Sequence, residues 1–117
     1  MPVVTEIPGI PTGFESITPT TAKSITSALV LPTSGSYIAM NAVAAYVTVE
    51  TQPIRFRIDG TAASATVGHS LGAGESYLVR GKTAVSQFSC IDTAAGAATV
   101  RVTVFHPFNS DLPDSGP

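Results

Sequence analysis

Apolar and polar residues alternate most strictly along Ile54-Arg55-Phe56-Arg57-Ile58, and an Asp59-Gly60 pair then ends the run. A period of two puts Ile54, Phe56 and Ile58 on one face of a strand and Arg55 and Arg57 on the other. Gly60 supplies the positive φ that a tight turn needs. The same period returns in residues 98–105, where Val100, Val102 and Val104 face one way and Thr99, Arg101 and Thr103 the other. Weaker strand signals fall in residues 25–31, 37–40, 42–50, 66–71, 75–80 and 85–91, separated by turn residues such as Gly35, Gly72-Ala73-Gly74 and Gly81-Lys82-Thr83. Residues 47–50 run through Thr51-Gln52-Pro53 into the first stretch, which predicts a hairpin. Strands recurring about every ten residues, with glycine turns and no strong helical period, predict an all-β fold. The expected architecture is an antiparallel β-sandwich of jelly-roll type over residues 24–106.

Both ends depart from this pattern. Residues 1–23 carry Pro2, Pro8, Pro11 and Pro19, which exclude a helix and keep the backbone out of a central strand. Val3, Val4, Ile7, Ile10, Phe14 and Ile17 are interleaved with them. A flexible linker would be more polar, so an extended N-terminal arm is expected, lying on its own domain or on a neighbouring subunit. Residues 107–117 form a second, short proline-rich tail with Phe108 and Leu112 as apolar anchors.

Composition changes the picture in one respect. Of 117 residues, 44 % are hydrophobic and only 12 % charged, about half the charge of an ordinary globular domain. That balance excludes intrinsic disorder and leaves a surface of Ser, Thr, Ala and Gly that loses little when covered by another protein. With a net charge of −2 and no basic stripe, nucleic-acid binding is not expected. The N-terminus lacks the pattern of a signal peptide, and no apolar run approaches the ~20 residues of a membrane-spanning helix, so a soluble protein made in a cytoplasm is expected.

Candidate chemistry is thin. Gly81-Lys82-Thr83 has Ser76 where a phosphate loop needs its first glycine, and a strand is expected after it. Gly72-Ala73-Gly74 lacks the third glycine of a dinucleotide fingerprint. His69, His106 and Cys90 have no second ligand at short spacing, so no metal, cofactor or catalytic set is expected. Cys90 is the single cysteine, excludes an internal disulfide and reads as a small core residue. Arg55 and Arg57 stand about 7 Å apart on one strand face. They read either as a solvated face or as a subunit contact, where the arginine fork suits carboxylate partners.

The run Ile54-Arg-Phe-Arg-Ile-Asp-Gly-Thr61, the Val67-Gly-His-Ser-Leu71 turn, Gly72-Ala-Gly-Glu-Ser-Tyr-Leu-Val79, Gln87-Phe-Ser-Cys-Ile91 and Thr99-Val-Arg-Val-Thr-Val-Phe105 resemble small β-sandwich virion proteins of tailed bacteriophages. That group includes capsid decoration, or cement, proteins. The resemblance covers about half of the chain, from residue 47 to 105. It implies a structural protein of the virion, not an enzyme, that binds and stabilises an assembled capsid. Its implied partners are the major capsid protein and further copies of itself, as a dimer or trimer. Val3, Val4, Ile7, Ile10, Phe14, Arg55, Arg57, Phe108 and Leu112 are the interface candidates. The other reading is a carbohydrate- or receptor-binding module on a phage tail or fibre, although the chain has no Trp and only three Tyr for stacking on sugars.

Overall fold

In a computed structural model, which describes residues 9–93 and 98–107, the described residues form eight strands and two short helices. In chain order these are β1 (Ile10–Ile17), β2 (Lys23–Ser24), α1 (Ser27–Val30), β3 (Ala44–Glu50), β4 (Ile54–Arg57), β5 (His69–Leu71), β6 (Ser76–Arg80), α2 (Lys82–Gln87), β7 (Ser89–Asp92) and β8 (Thr99–His106). One sheet has the order β1-β8-β3-β6 and the other β2-β7-β4-β5. Every neighbouring pair is antiparallel.

Two-residue periodicity decides what lies between the sheets. Val47, Val49, Val79, Val100, Val102 and Val104 point inward from the first sheet and meet Ile54, Phe56, Leu71 and Cys90 from the second. Each valine buried in this way adds roughly 1.5–3 kcal/mol. Phe88 is fully buried just before β7, and its ring lies 5.8 Å from that of Phe56. The two best sequence patterns, β4 and β8, therefore stand on opposite sides of one core, and the chain is a β-sandwich.

The described part of the expected arm belongs to the fold. Residues 10–17 form the edge strand β1, whose ladder with β8 runs from Ile10 opposite His106 to Ile17 opposite Val100. The sheet thus begins well before residue 24. An edge position tolerates Pro11, which has no N–H to donate. The register shifts between Pro11 and Gly13, leaving Thr12 as the extra residue of a bulge. Val3, Val4 and Ile7 at one end, and Phe108 and Leu112 at the other, lie outside the described residues.

Several local expectations change. Residues 47–58 are not a hairpin: β3 and β4 lie in different sheets, because Thr51 adopts φ 74° and turns the chain across the sandwich. Residues 25–31 carry one helical turn, α1, and residues 37–40 form a turn. Residues 82–87 are helical, with Gly81 at φ 98° breaking the strand before them, so only residues 89–91 of the expected 85–91 strand pair, in β7, which extends to Asp92. Gly60 adopts the expected positive φ, 90°, but at a bend in the long loop of residues 58–68 between β4 and β5 and not in a tight turn.

Candidate functional site

The outward face of the β1-β8-β3-β6 sheet is the least ordinary surface of the molecule. In β3 the outward residues are Ala44, Tyr46, Thr48 and Glu50, since Ala45, Val47 and Val49 fill the core. Register then builds rows across all four strands. Phe14 of β1 lies opposite Thr103 of β8, Thr103 opposite Tyr46 of β3, and Tyr46 opposite Leu78 of β6. This central row holds no charge. Phe14 is 58 % exposed, and Thr103, Tyr46 and Leu78 are each partly exposed. One row away, Phe105 stands between Pro11 and Ala44 and adds a further partly exposed ring. That row ends in the exposed Arg80 of β6, opposite Ala44, and at the other end of the face the Arg101 guanidinium donates to Glu50 at 3.0 Å and to the Ser16 hydroxyl at 2.9 Å.

Of the candidates named from sequence, this face contains Phe14. It also contains Tyr46, Leu78 and Phe105, which the strand pattern left unnamed. A signal was present. In Ala44-Ala45-Tyr46-Val47 and Tyr77-Leu78-Val79 apolar residues occupy both parities, and a strand apolar on both parities is one that can be covered on both faces.

Arg55 and Arg57 lie on the other sheet, and both are engaged within their own chain. Arg55 donates from Nη1 to the Gly68 carbonyl at 2.9 Å, while its buried Nε has no partner. Arg57 donates from Nε to Asp59 at 3.1 Å and forms an ion pair with the same carboxylate. The hydrogen bond from Arg57, joined by the Thr61 N–H, holds the Asp59 carboxyl below its ordinary range, and Asp59 in turn raises the guanidinium. Part of the loop between β4 and β5 folds back over this sheet, with the Ala63 N–H donating to the Ser89 hydroxyl at 3.1 Å. This second outward face is therefore partly covered by its own chain, whereas on the first Phe14 is exposed and Tyr46, Leu78, Thr103 and Phe105 are partly exposed, with Ala44 at one end fully buried.

The two histidines serve different sheets. His69, exposed on edge strand β5, packs its ring 5.4 Å from Phe56; Tyr77 of β6 approaches Phe56 from the other sheet at 5.0 Å. Together they line the open mouth of the sandwich between β5 and β6. His106 is fully buried at the end of β8. Its Nε2 lies 3.0 Å from the Met40 carbonyl, which can only accept, so Nε2 carries the proton and Nδ1 accepts from the Thr12 hydroxyl at 2.6 Å. Burial pushes the His106 pKa down, against the opposing pull of the Met40 and Val30 carbonyls. Beside it a pocket of ≈ 340 Å³ opens among Thr12, Leu29, Pro32 and Tyr37.

Among the described residues no three His, Cys, Asp or Glu side chains gather to hold a metal ion. Burial, and to a lesser degree the Glu15 charge, pushes the Cys90 thiol up to about 12, which leaves it protonated and unreactive at neutral pH. What the geometry offers is a surface. Comparison of the chain with protein-family models, with curated proteins and with solved structures finds no match.

Proposed function

We propose that this protein is a structural assembly module of a virion, a jelly roll that binds and stabilises a bacteriophage capsid as a decoration protein. The observation that carries the reading is the uncharged outward row Phe14–Thr103–Tyr46–Leu78. Free monomers seldom leave contiguous apolar sheet surface in water, and such a patch marks a place where another protein sits. Strand order supports the jelly-roll reading. β1 pairs with β8, β2 with β7, β3 with β6 and β4 with β5, so the chain forms one long antiparallel ribbon rolled into two sheets. Jelly rolls of eight strands recur in viral capsids. Together with the resemblance of residues 47–105 to phage virion proteins, this favours a place on the particle. Repeated copies on a symmetric lattice turn a modest single contact into firm attachment.

Mass spectrometry and electron microscopy of purified particles from the phage encoding this chain test the reading. Regular copies on the capsid surface are the expected result, and particles without the protein refute it. The aromatic mouth of Phe56, His69 and Tyr77 favours the second reading, a carbohydrate- or receptor-binding module, because Tyr77 and His69 present ring surface to solvent. A glycan array without binding removes that alternative.

A further inference from the structure

We infer that the outward face of the β1-β8-β3-β6 sheet is covered by a second copy of this chain, face to face, about a two-fold axis that runs along the strands between β8 and β3. This deepens the assembly reading and rests on it, and it selects a dimer as the unit that assembles.

The argument starts from the size of side chains along the central row. Across the four strands the row reads Phe14, Thr103, Tyr46, Leu78. A two-fold axis along the strands lays β8 on β3 of the second copy and β1 on its β6. Tyr46 then stands over the small Thr103 of the second copy, the reciprocal pair forms by symmetry, and Phe14 meets Leu78 at both margins. An isologous contact requires this self-complementarity. An axis along the row instead stacks Tyr46 on Tyr46 and Phe14 on Phe14, with Thr103 facing Thr103 across a gap. Packing at interface cores tolerates neither the collision nor the void. Two sheets facing each other with strands about 30° apart is also one of the two standard sheet-on-sheet geometries.

Charge points the same way. Arg101 of β8 lies opposite Thr48 of β3, and Glu50 lies two residues further along β3 on the same face. With β8 on β3, each Arg101 comes to lie near Glu50 of the second copy, while keeping its own bond to Glu50 at 3.0 Å. The two pairs then close into a ring of alternating charges at the rim, where wet ion pairs fix register more than they add affinity. Four strands about 4.8 Å apart, with a rise of about 3.4 Å per residue, present roughly 500 Å² per copy. The two copies together bury about 1,000 Å², the lower limit for a specific protein–protein contact. The dimer is therefore expected to be concentration-dependent.

Sedimentation of the full chain, without particles, tests this directly. The expected mass rises from one chain to two as concentration increases, and Tyr46→Arg, which places like charges on both sides of the axis at a half-exposed position, shifts that transition at least ten-fold upward. Crosslinking gives an independent readout. The native Cys90 is buried, so a short bismaleimide should join Thr103→Cys chains into dimers and leave Ser70→Cys chains, marked on the outward face of the other sheet, single. A chain that stays monomeric at high concentration overturns the inference, as does a trimer, or crosslinking through position 70 in place of 103. A dimer that is absent from particles refutes the virion reading alone; a monomer found on particles refutes the dimer alone.

Discussion

His106 links three parts of the fold through one ring, and removing it tests whether that link holds the edge strand. The imidazole joins β8 to the bulge residue Thr12 of β1 and to the Met40 carbonyl at the end of the long loop before β3. His106→Ala deletes two hydrogen bonds worth about 1 kcal/mol each and leaves a cavity in place of a fully buried ring, worth about 2–4 kcal/mol. The expected loss is about 3–5 kcal/mol after partial relaxation. Thr12→Val is the finer probe: it keeps the side-chain shape, removes only the donor to Nδ1, and strands a buried acceptor at a cost of about 1–2 kcal/mol. Urea unfolding followed by far-ultraviolet circular dichroism measures both, and a double-mutant cycle isolates their coupling. The pH dependence has a definite sign. Burial lowers the His106 pKa in the folded state, so the unfolded chain binds this proton more readily. Stability is therefore full above the unfolded value of about 6.5 and falls as pH drops through it toward the folded pKa. On protonation Nδ1–H donates to Thr12, and the hydroxyl proton must turn to the Val104 carbonyl, a long 3.5 Å away. If Thr12→Val unfolds at the same urea concentration as the parent, or if the acid-induced loss of stability between pH 7.5 and 5 persists undiminished in a folded His106→Phe variant, the ring does not latch the edge strand.

Three further outcomes follow from particular contacts. Gly9→Ala places a Cβ 2.3 Å from the His106 carbonyl oxygen, so backbone must move; thermal unfolding should show a loss of about 1–3 kcal/mol. Cys90, with its thiol pushed up to about 12 by burial, should resist iodoacetamide at pH 8 in the folded protein and react at the rate of a free thiol in urea; equal rates would contradict its burial. Arg57→Ser breaks a solvent-screened ion pair with Asp59 and should leave the midpoint of urea unfolding essentially unchanged.

How much of this was legible in sequence depends on where each element finds its partner. β8 and β4 were readable because alternate valines and isoleucines mark the buried side whatever pairs with them. The turn at Thr51-Gln52-Pro53 was misleading because a hairpin and a crossing between sheets look alike locally; what differs is that β3 pairs with β6 and β8, some thirty to sixty residues away in sequence. α2 was hidden for another reason. Val85 and Phe88 are both buried three residues apart, a helical spacing, but a six-residue helix is too short for its period to stand out from a strand's. The candidate face was half legible: Phe14 was named, while Tyr46 and Leu78 sat in strands whose inward residues drew the attention and became candidates only when register placed them in one row.

The pairing of Ile10 with His106 also has a mechanical consequence. The outermost strand starts, and the last strand ends, at the same edge of the sheet, so tension applied at these two points peels β1 from β8 one hydrogen bond after another, as a zip opens. Loads that shear strands lengthwise are shared among many bonds, but this one is not. A sheet built this way would yield at low force when pulled apart at Ile10 and His106, and would endure more strain when gripped across the broad flank of β1-β8-β3-β6.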